Sequence, residues 1–165
     1  RQMCIRDRLH LVRAEQGTNQ DSEAHDVCDI VEKLMHLHEP LLDKKPLELK
    51  IIREDTVSVI APESVIAVTV GNLISNAIRY TPSGEVVCTI GNGRVLVEDT
   101  GPGIPEEELS MVMNRHYRGE GVSGKGSGLG LAIVQRLCEL YGWAIYFENR
   151  KTGGLHAEIR FFGLA

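Results

Sequence analysis

The sequence lacks the features that mark membrane-spanning, exported and nucleic-acid-binding chains. None of its 165 residues belongs to an apolar run approaching the roughly 18 residues that a membrane span needs. Residues 1–20 are polar and contain no apolar core of a signal peptide. The 18 basic residues are outnumbered by 23 acidic ones, so the chain has no basic excess with which to hold nucleic acid. We therefore expect a segment that contacts neither membrane nor nucleic acid.

Paired cysteine motifs are also absent. The four cysteines (Cys4, Cys28, Cys88 and Cys138) are scattered without CxxC spacing, which indicates reduced thiols in a cytosolic setting. The length fits one domain with a short appendage, and 42% hydrophobic residues are enough for an ordered core. Because the chain begins with Arg1 rather than Met, we expect it to be part of a longer protein.

Glycine, in contrast, is concentrated in one stretch. Ten of the 17 glycines lie between Gly91 and Gly130. Glycine is required where φ is positive or where the backbone approaches a ligand closely, so this concentration predicts one or both within the stretch. We assign Gly91 and Gly93 to a hairpin turn around Asn92.

Hydrophobic periodicity predicts six strands and four helices. The strands are Leu47–Ile52, Thr56–Ile60, Glu85–Ile90, Arg94–Asp99, Trp143–Asn149 and Leu155–Phe162. The helices begin at Ser22, at Pro62, after Pro105 and at Gly128. The first is expected to carry one apolar face made of Val27, Ile30, Val31, Leu34, Leu37 and Leu41. This order predicts an α+β fold, a two-layer α/β sandwich with helices on one face of a mixed, mainly antiparallel sheet.

Three polar motifs interrupt this pattern. The first is Asn72, Asn76 and Arg79, whose spacing places them along one border of the buried face of the second helix. Amide oxygens are neutral, hard ligands that suit Mg²⁺ already carrying phosphate charge. The alternative is a polar helix flank that hydrogen-bonds to a neighbouring loop.

The second motif, residues 98–104, follows a predicted strand. If Asp99 points inward, its carboxylate needs a donor, and the exocyclic amine of adenine would serve. Gly101 and Gly103 would let a flat base approach the backbone. The alternative is a simple turn rich in Asp, Gly and Pro.

The third motif is the run GKGSGLG at Gly124–Gly130, which leads directly into a helix. Exposed amides at a helix N-terminus bind anions, and Lys125, Arg115 and Arg118 add positive charge. The run is neither a P-loop nor a Rossmann fingerprint, because GKS/T is missing and no strand precedes it. The alternative is a flexible linker.

Together the motifs NLISNAIRYTPSG, EDTGPGIP and KGSGLGLAIVQRL resemble, in order and spacing, the N, G1 and G2 boxes of sensor histidine kinases. Those kinases belong to the superfamily of gyrase, Hsp90 and MutL ATPases. The resemblance covers about Glu23–Leu164 and implies a Bergerat-type ATP-binding fold. It divides the chain into residues 1–20, the end of a dimerisation hairpin helix or a non-native lead-in, and residues 21–165, the catalytic ATP-binding domain.

The resemblance also implies roles for individual residues, with ATP and Mg²⁺ as the bound species. Asn76 would ligate Mg²⁺ and Asn72 would stand beside it as the catalytic position. Asp99 would bind the adenine amine, while Arg79 and Tyr80 would lie near phosphate and nucleotide. The remaining expected nucleotide-binding residues are Gly101, Gly103, Ile104, Tyr117, Arg118, Lys125, Gly126, Ser127, Gly128, Leu129 and Gly130.

One segment departs from the family pattern. In the family the glycine-rich run forms a flexible lid over the nucleotide, which the resemblance places at Gly119–Gly130. Before this lid the family commonly has a run like FERFYRG, where this chain has MNRHYRG, with Met113 and His116 in place of the two phenylalanines. Tyr117 and Arg118 are retained. A non-catalytic nucleotide-binding or interaction module is therefore one alternative, and an anti-sigma-type serine kinase of the same superfamily is another.

For the parent protein, the resemblance implies a homodimeric two-component sensor in the bacterial inner membrane, with this domain in the cytoplasm. The γ-phosphoryl group would go to a histidine on an upstream dimerisation domain and then to a response regulator. Within this chain, His25 is a poor acceptor candidate because no helix precedes it to form the hairpin. The fragment itself is expected to be monomeric.

Overall fold

The computed structural model describes residues 23–42, 44–113, 127–162 and 164, with backbone alone for 111–113 and 127–130. The strands are β1 (Ala24–Asp26), β2 (Leu47–Arg53), β3 (Ser58–Ile60), β4 (Gly84–Gly91), β5 (Arg94–Asp99), β6 (Ala144–Asn149) and β7 (Leu155–Arg160). The α-helices are α1 (Val27–His38), α2 (Glu63–Tyr80), α3 (Glu106–Met113) and α4 (Ser127–Tyr141). A 3₁₀ turn, Glu39–Leu42, follows α1.

Five strands form one mixed sheet in the order β2-β4-β5-β7-β6. The β2–β4 pair is parallel and the other three pairs are antiparallel. Helix α2 packs against α1 on one side and α4 on the other, and it also contacts β4, β5 and β7. Alternate residues of β4 and β5 are buried in the core beneath these helices. The predicted sandwich of helices on a mainly antiparallel sheet is therefore confirmed.

The predicted start of the first helix is wrong. Residues Ala24–Asp26 form β1, an antiparallel partner of β3, and the helix begins only at Val27. The Asp26 side chain marks this boundary, because its Oδ1 accepts a hydrogen bond from the amide of Cys28 at 2.9 Å. The described residues thus contain seven strands rather than six, and β3 pairs outside the main sheet.

The predicted apolar face of the first helix is too long. Leu37 and Leu41 are 69% and 71% exposed, whereas Met35 and Leu42 are buried. The α-helix ends at His38, and the chain continues as the 3₁₀ turn that contains Pro40. For Leu41 the reason is that a 3₁₀ turn has a different angular step per residue, so the 3.6-residue period no longer assigns the buried side. Leu37 lies within the last turn of α1 and is exposed there.

The hairpin between β4 and β5 is confirmed, although only one of the two glycines assigned to its turn lies in the turn. The turn residues are Asn92 and Gly93, with φ of 54° and 70°, as in the turns that favour right-twisted hairpins. Gly91 belongs to β4, where a Cβ atom would lie 2.7 Å from the Cβ of Glu54. Gly91 therefore permits a close approach of two segments and does not form the turn.

No helix among the described residues is both long and apolar enough to cross a membrane.

Candidate functional site

Four elements end or begin together at one end of the main sheet. Strand β5 ends at Asp99, β6 ends at Asn149 and β7 begins at Leu155, and the pairing of β5, β7 and β6 places these residues side by side. Helix α2 ends at Tyr80, whose carbonyl oxygen would lie 2.9 Å from a Cβ atom on Gly101. The motifs around Asn72 and around Asp99 therefore adjoin each other in the fold.

Asp99 is the buried carboxylate of this region, with 5% of its surface exposed. It continues the alternation of Val95 and Val97, so its side chain lies on the helix-facing side of β5. Its Oδ1 accepts hydrogen bonds from the amides of Gly101 at 2.9 Å and Leu155 at 3.2 Å. Within the described part of the chain nothing donates to Oδ2. One carboxylate oxygen is held by the backbone, and the other remains able to accept from a ligand.

The turn between β6 and β7 also contacts the backbone of Asp99. Arg150 donates from Nη1 to the Asp99 carbonyl oxygen at 2.8 Å, and its Nε lies 3.5 Å from Oε2 of Glu98. His156 Nδ1 lies 3.3 Å from the same Glu98 oxygen. Gly154 packs so closely that a Cβ atom there would fall on the Asp99 carbonyl.

The same turn also holds the loop that follows Asp99. Asn149 Oδ1 accepts from the amide of Ile104 at 2.9 Å, and Asn149 Nδ2 donates to the Ile104 carbonyl at 2.6 Å. Gly103 has φ of 76°, and a Cβ atom there would lie 2.7 Å from Asn149 Oδ1. Glycine is therefore required at this predicted site position both by conformation and by the asparagine packed against it.

The two asparagines of α2 are half-buried and differ in their hydrogen bonds. Asn72 Nδ2 donates to the Val68 carbonyl at 2.6 Å, which leaves its oxygen for a ligand. Asn76 Nδ2 is buried and has no hydrogen-bond partner among the described residues. Since rotation of the amide exchanges its oxygen and nitrogen, this position suits a ligand that needs either a donor or an acceptor. Arg79 and Tyr80 are exposed beside them.

The donor set also limits the kind of metal site. No group of three or more His, Cys, Asp or Glu side chains that could hold a metal ion occurs in the described ranges. A cation held by Asn72 and Asn76 would meet neutral amide oxygens and would need an anionic ligand to complete its shell. That requirement fits Mg²⁺ accompanied by phosphate better than a metal bound by protein alone.

The structure thus brings together Asp99, Gly101, Gly103 and Ile104, with α2 alongside them. Ser127, Gly128, Leu129 and Gly130 form the first turn of α4, as the sequence predicted for a helix following the glycine-rich run. Tyr117, Arg118, Lys125 and Gly126, together with Arg115 and His116, lie outside the described residues. Their predicted roles stay predictions.

Sequence reasoning missed four residues of this site: Thr81, Asn149, Arg150 and Gly154. Thr81 is fully buried behind Gly101, and its hydroxyl has no partner among the described residues. The other three come from a turn about 50 residues beyond Asp99, and only the pair Gly153-Gly154 hinted at an unusual backbone there. Contacts over such a separation leave no periodic signal in a single sequence.

The chain is an α/β sandwich with a helix layer on a mixed sheet and a buried carboxylate at the end of the central strand. The chain belongs to the histidine kinase-, DNA gyrase B- and HSP90-like ATPase family, whose sequence model matches residues 62–163. Within that family its relatives are sensor histidine kinases, which confirms the resemblance carried by the three motifs.

Over 96 residues the chain is 42% identical to the sensor protein QseC of Escherichia coli (strain K12), covering 58% of this chain and 21% of QseC. It is 29% identical to the sensor-type histidine kinase PrrB of Mycobacterium leprae over 155 residues, covering 91% of this chain and 35% of PrrB. The crystal structure of full-length ShkA in complex with AMPPNP matches it with a TM-score of 0.75 at 25% identity, covering 99% of this chain and 35% of ShkA. The chain thus spans between a fifth and about a third of these relatives. They favour a histidine kinase catalytic domain over the serine kinase alternative.

Proposed function

We propose that this domain binds ATP with Mg²⁺ and delivers the γ-phosphoryl group to a histidine on the dimerisation domain of its parent protein. A response regulator would then receive the group. The observation that carries this proposal is the carboxylate of Asp99, which is buried, held through Oδ1 by two amides and able to accept through Oδ2. A buried acceptor of this kind requires a donor, and the exocyclic amine of adenine supplies one.

The base would lie against the backbone beyond Asp99. Gly101 and Gly103 keep that surface free of side chains, and the Asn149 clamp on Ile104 fixes its shape. The AMPPNP in the ShkA structure is an ATP analogue, which supports the same class of ligand for this chain.

Asn76 would ligate the magnesium ion through its amide oxygen, and Asn72 would stand beside it in the shell of the metal and the phosphates. When bound, Mg²⁺ neutralises charge on the phosphate oxygens during phosphoryl transfer. Arg79 adds a cation beside them, and Arg118 and Lys125 are expected to do the same. Catalysis would consist mainly of positioning and charge neutralisation.

The residue at position 72 favours transfer to a protein over hydrolysis. In the gyrase-like members of the superfamily a glutamate stands there and activates water. An asparagine amide cannot take a proton from water in the same way, so Asn72 leaves the nucleotide poised for another acceptor.

The domain would act as a part of a larger sensor. We assign residues 21–165 to the catalytic domain and residues 1–20 to the end of a dimerisation helix or a non-native lead-in. The relatives QseC and PrrB are named as a sensor protein and a sensor-type histidine kinase, which supports a parent that acts as a sensor. We further propose that this parent is homodimeric and lies in the bacterial inner membrane, with this domain in the cytoplasm. The isolated fragment would be monomeric.

Calorimetric titration with ADP and Mg²⁺ tests the proposal, with Asp99→Asn as the matched variant. Asn keeps the shape of the side chain but replaces one acceptor oxygen by a donor that would face the adenine amine. We expect Asp99→Asn to weaken binding by about 1–3 kcal/mol. Unchanged binding by that variant would show that the adenine assignment is wrong. Absence of binding by the wild-type chain at millimolar ADP would instead favour a non-catalytic interaction module.

A further inference from the structure

Residues of the turn between β6 and β7 make several contacts with the proposed base-binding surface, which consists of residues 99–104. Three separate groups reach from it to the loop that begins at Asp99. Arg150 donates to the Asp99 carbonyl, the amide of Leu155 donates to the Asp99 carboxylate, and Asn149 engages both backbone groups of Ile104.

The turn is itself held in one conformation. The amide of Arg150 donates to the Gly154 carbonyl at 2.8 Å, and the amide of Gly153 donates to the Arg150 carbonyl at 3.1 Å. Gly153 and Gly154 both have φ of 98°. Glu98 fixes the guanidinium of Arg150 from the outer face of the sheet. Because the turn is held in one conformation, the groups that it contacts are held in defined positions.

We propose that Asn149 and Arg150 are positioning residues that set the base specificity of the nucleotide site, Arg150 through Asp99 and Asn149 through Ile104. The inference rests on the proposed function and names the residues that make it selective. Recognition of an amine by Asp99 Oδ2 requires the carboxylate to keep one position and one orientation, because a hydrogen bond to the base depends on both. The amides of Gly101 and Leu155 hold the carboxylate through Oδ1, and Arg150 holds the backbone carbonyl of the same residue.

Discrimination between ADP and inosine diphosphate is the direct measure of this effect. Inosine carries a carbonyl oxygen where adenine carries the amine, so it offers Asp99 an acceptor in place of a donor. A site in which Asp99 is no longer held in position loses affinity for ADP, while its affinity for inosine diphosphate changes little. We expect Arg150→Ala and Asn149→Ala each to lower the ratio of the two affinities by about three- to tenfold, the range for one neutral hydrogen bond.

Arg94→Ala provides the matched control. Arg94 lies on the same outer face, at the opposite end of β5, and its Nη1 is 2.6 Å from Oε1 of the buried Glu158. Its loss removes one of the two ion pairs of the buried Glu158, which keeps Arg160, and lowers stability. The contacts that Arg94 makes among the described residues are with Gly91, Glu158 and Arg160, away from Asp99. We expect Arg94→Ala to shift the melting temperature without changing the discrimination between the two nucleotides.

A second variant keeps the proposal testable where alanine prevents folding. Asn149→Asp retains the acceptor for the Ile104 amide and the shape of the side chain, but it turns the bond to the Ile104 carbonyl into a repulsion. Its discrimination should fall in the same direction as that of Asn149→Ala.

The outcomes separate this inference from the proposed function. If the wild-type chain binds neither nucleotide at millimolar concentration, the proposed function itself fails. If the wild-type chain binds ADP selectively and the variants at Asn149 and Arg150 keep the wild-type ratio, the site stands and the positioning role is refuted. A ratio that falls equally in Arg94→Ala would refute it as well, because a general loss of stability would then explain the effect.

Discussion

Asp99 illustrates how burial of a single ionisable residue indicates function. Its place on the helix-facing side of β5 follows from the alternation in residues 94–99, where Val95 and Val97 are buried with it. A carboxylate in that position must be satisfied by donors, and among the described residues the backbone supplies them to only one of its two oxygens. The inward-pointing carboxylate that the sequence analysis considered is thus found in the structure, and its role in binding adenine stays a prediction.

The buried cysteines show the opposite case, in which ionisable groups serve the core alone. Burial raises the pKa of Cys88 and of Cys138 to about 12, and it also raises the pKa of Cys28. At neutral pH these thiols are protonated and therefore unreactive towards thiolate-directed reagents in the folded state. Cys28, Cys88 and Cys138 are free thiols and lie in the core.

These thiols predict a loss of stability at alkaline pH. A thiol has a pKa of about 8.5 in the unfolded chain, so the unfolded state loses its protons first and is stabilised as the pH rises. The stabilising contribution is complete below about pH 8.5, and it is lost between there and about pH 12. We expect the free energy of unfolding to fall by about 1.4 kcal/mol per pH unit for each of Cys88 and Cys138 in that range.

Urea denaturation at pH 8, 9 and 10 measures this slope. Cys88→Ala is the control, because it should reduce the slope by the contribution of one thiol whatever its effect on stability at pH 8. An identical slope in wild type and variant would mean that burial of Cys88 does not govern the alkaline response.

At the scale of elements, local signals were sufficient where a helix or turn is determined by its own residues. Helix α2 begins after Pro62 and ends before the sequence Thr81-Pro82, and the positive φ of Gly93 forms the predicted hairpin. The strand β1 was missed because its three residues are held by pairing with β3, more than 30 residues later in the chain. The Asn149 clamp on Ile104 was missed for the same reason.

The two adjacent glycines of the β6–β7 turn offer a matched pair of substitutions. Gly153 and Gly154 share φ of 98°, so alanine is strained at both, by about 1–3 kcal/mol. At Gly153 an added Cβ meets nothing within 4 Å, whereas at Gly154 it would collide with the backbone of Asp99. We expect Gly154→Ala to cost at least about 1–3 kcal/mol more than Gly153→Ala, as overpacking does, and to abolish ADP binding.

Urea denaturation and ADP titration of the two variants check this difference. Gly153→Ala should retain ADP binding once its lower stability is taken into account. Equal stability losses and equal binding in the two variants would mean that the close approach at Gly154 does not hold Asp99 in place.

At the scale of the whole molecule, the domain is expected to bind nucleotide without phosphorylating itself. Its acceptor histidine would lie upstream, and His25, in the short strand β1, is half-buried and paired against β3. Incubation with γ-labelled ATP and Mg²⁺ should leave no acid-labile phosphate on the chain, under conditions in which calorimetry is expected to detect ADP binding. Base-stable, acid-labile label that disappears in His25→Ala would contradict this expectation and identify His25 as an acceptor.

The overall architecture was predictable because the order of its elements allows few arrangements. The predicted order contains three pairs of consecutive strands with helices between the pairs. The arrangement that this order favours is one sheet covered by helices on one face. The parallel pairing of β2 with β4 and the separation of β3 were not predictable, since both depend on pairing between residues more than 30 positions apart. The predicted cations Arg115, Arg118 and Lys125 lie outside the described residues, and their roles stay predictions.

The strand order has a consequence for how the protein is made. Strand β5, which ends in Asp99, lies between β4 and β7, and β7 is synthesised after β4, β5 and β6. Until residues 149–155 have been synthesised, the Asp99 carboxylate lacks the Leu155 amide and Ile104 lacks its clamp. A growing chain can therefore assemble α1, α2 and the β4–β5 hairpin early, yet it acquires a finished base pocket only when the β6–β7 hairpin closes. Premature termination before that hairpin would yield a partly folded chain without a nucleotide site.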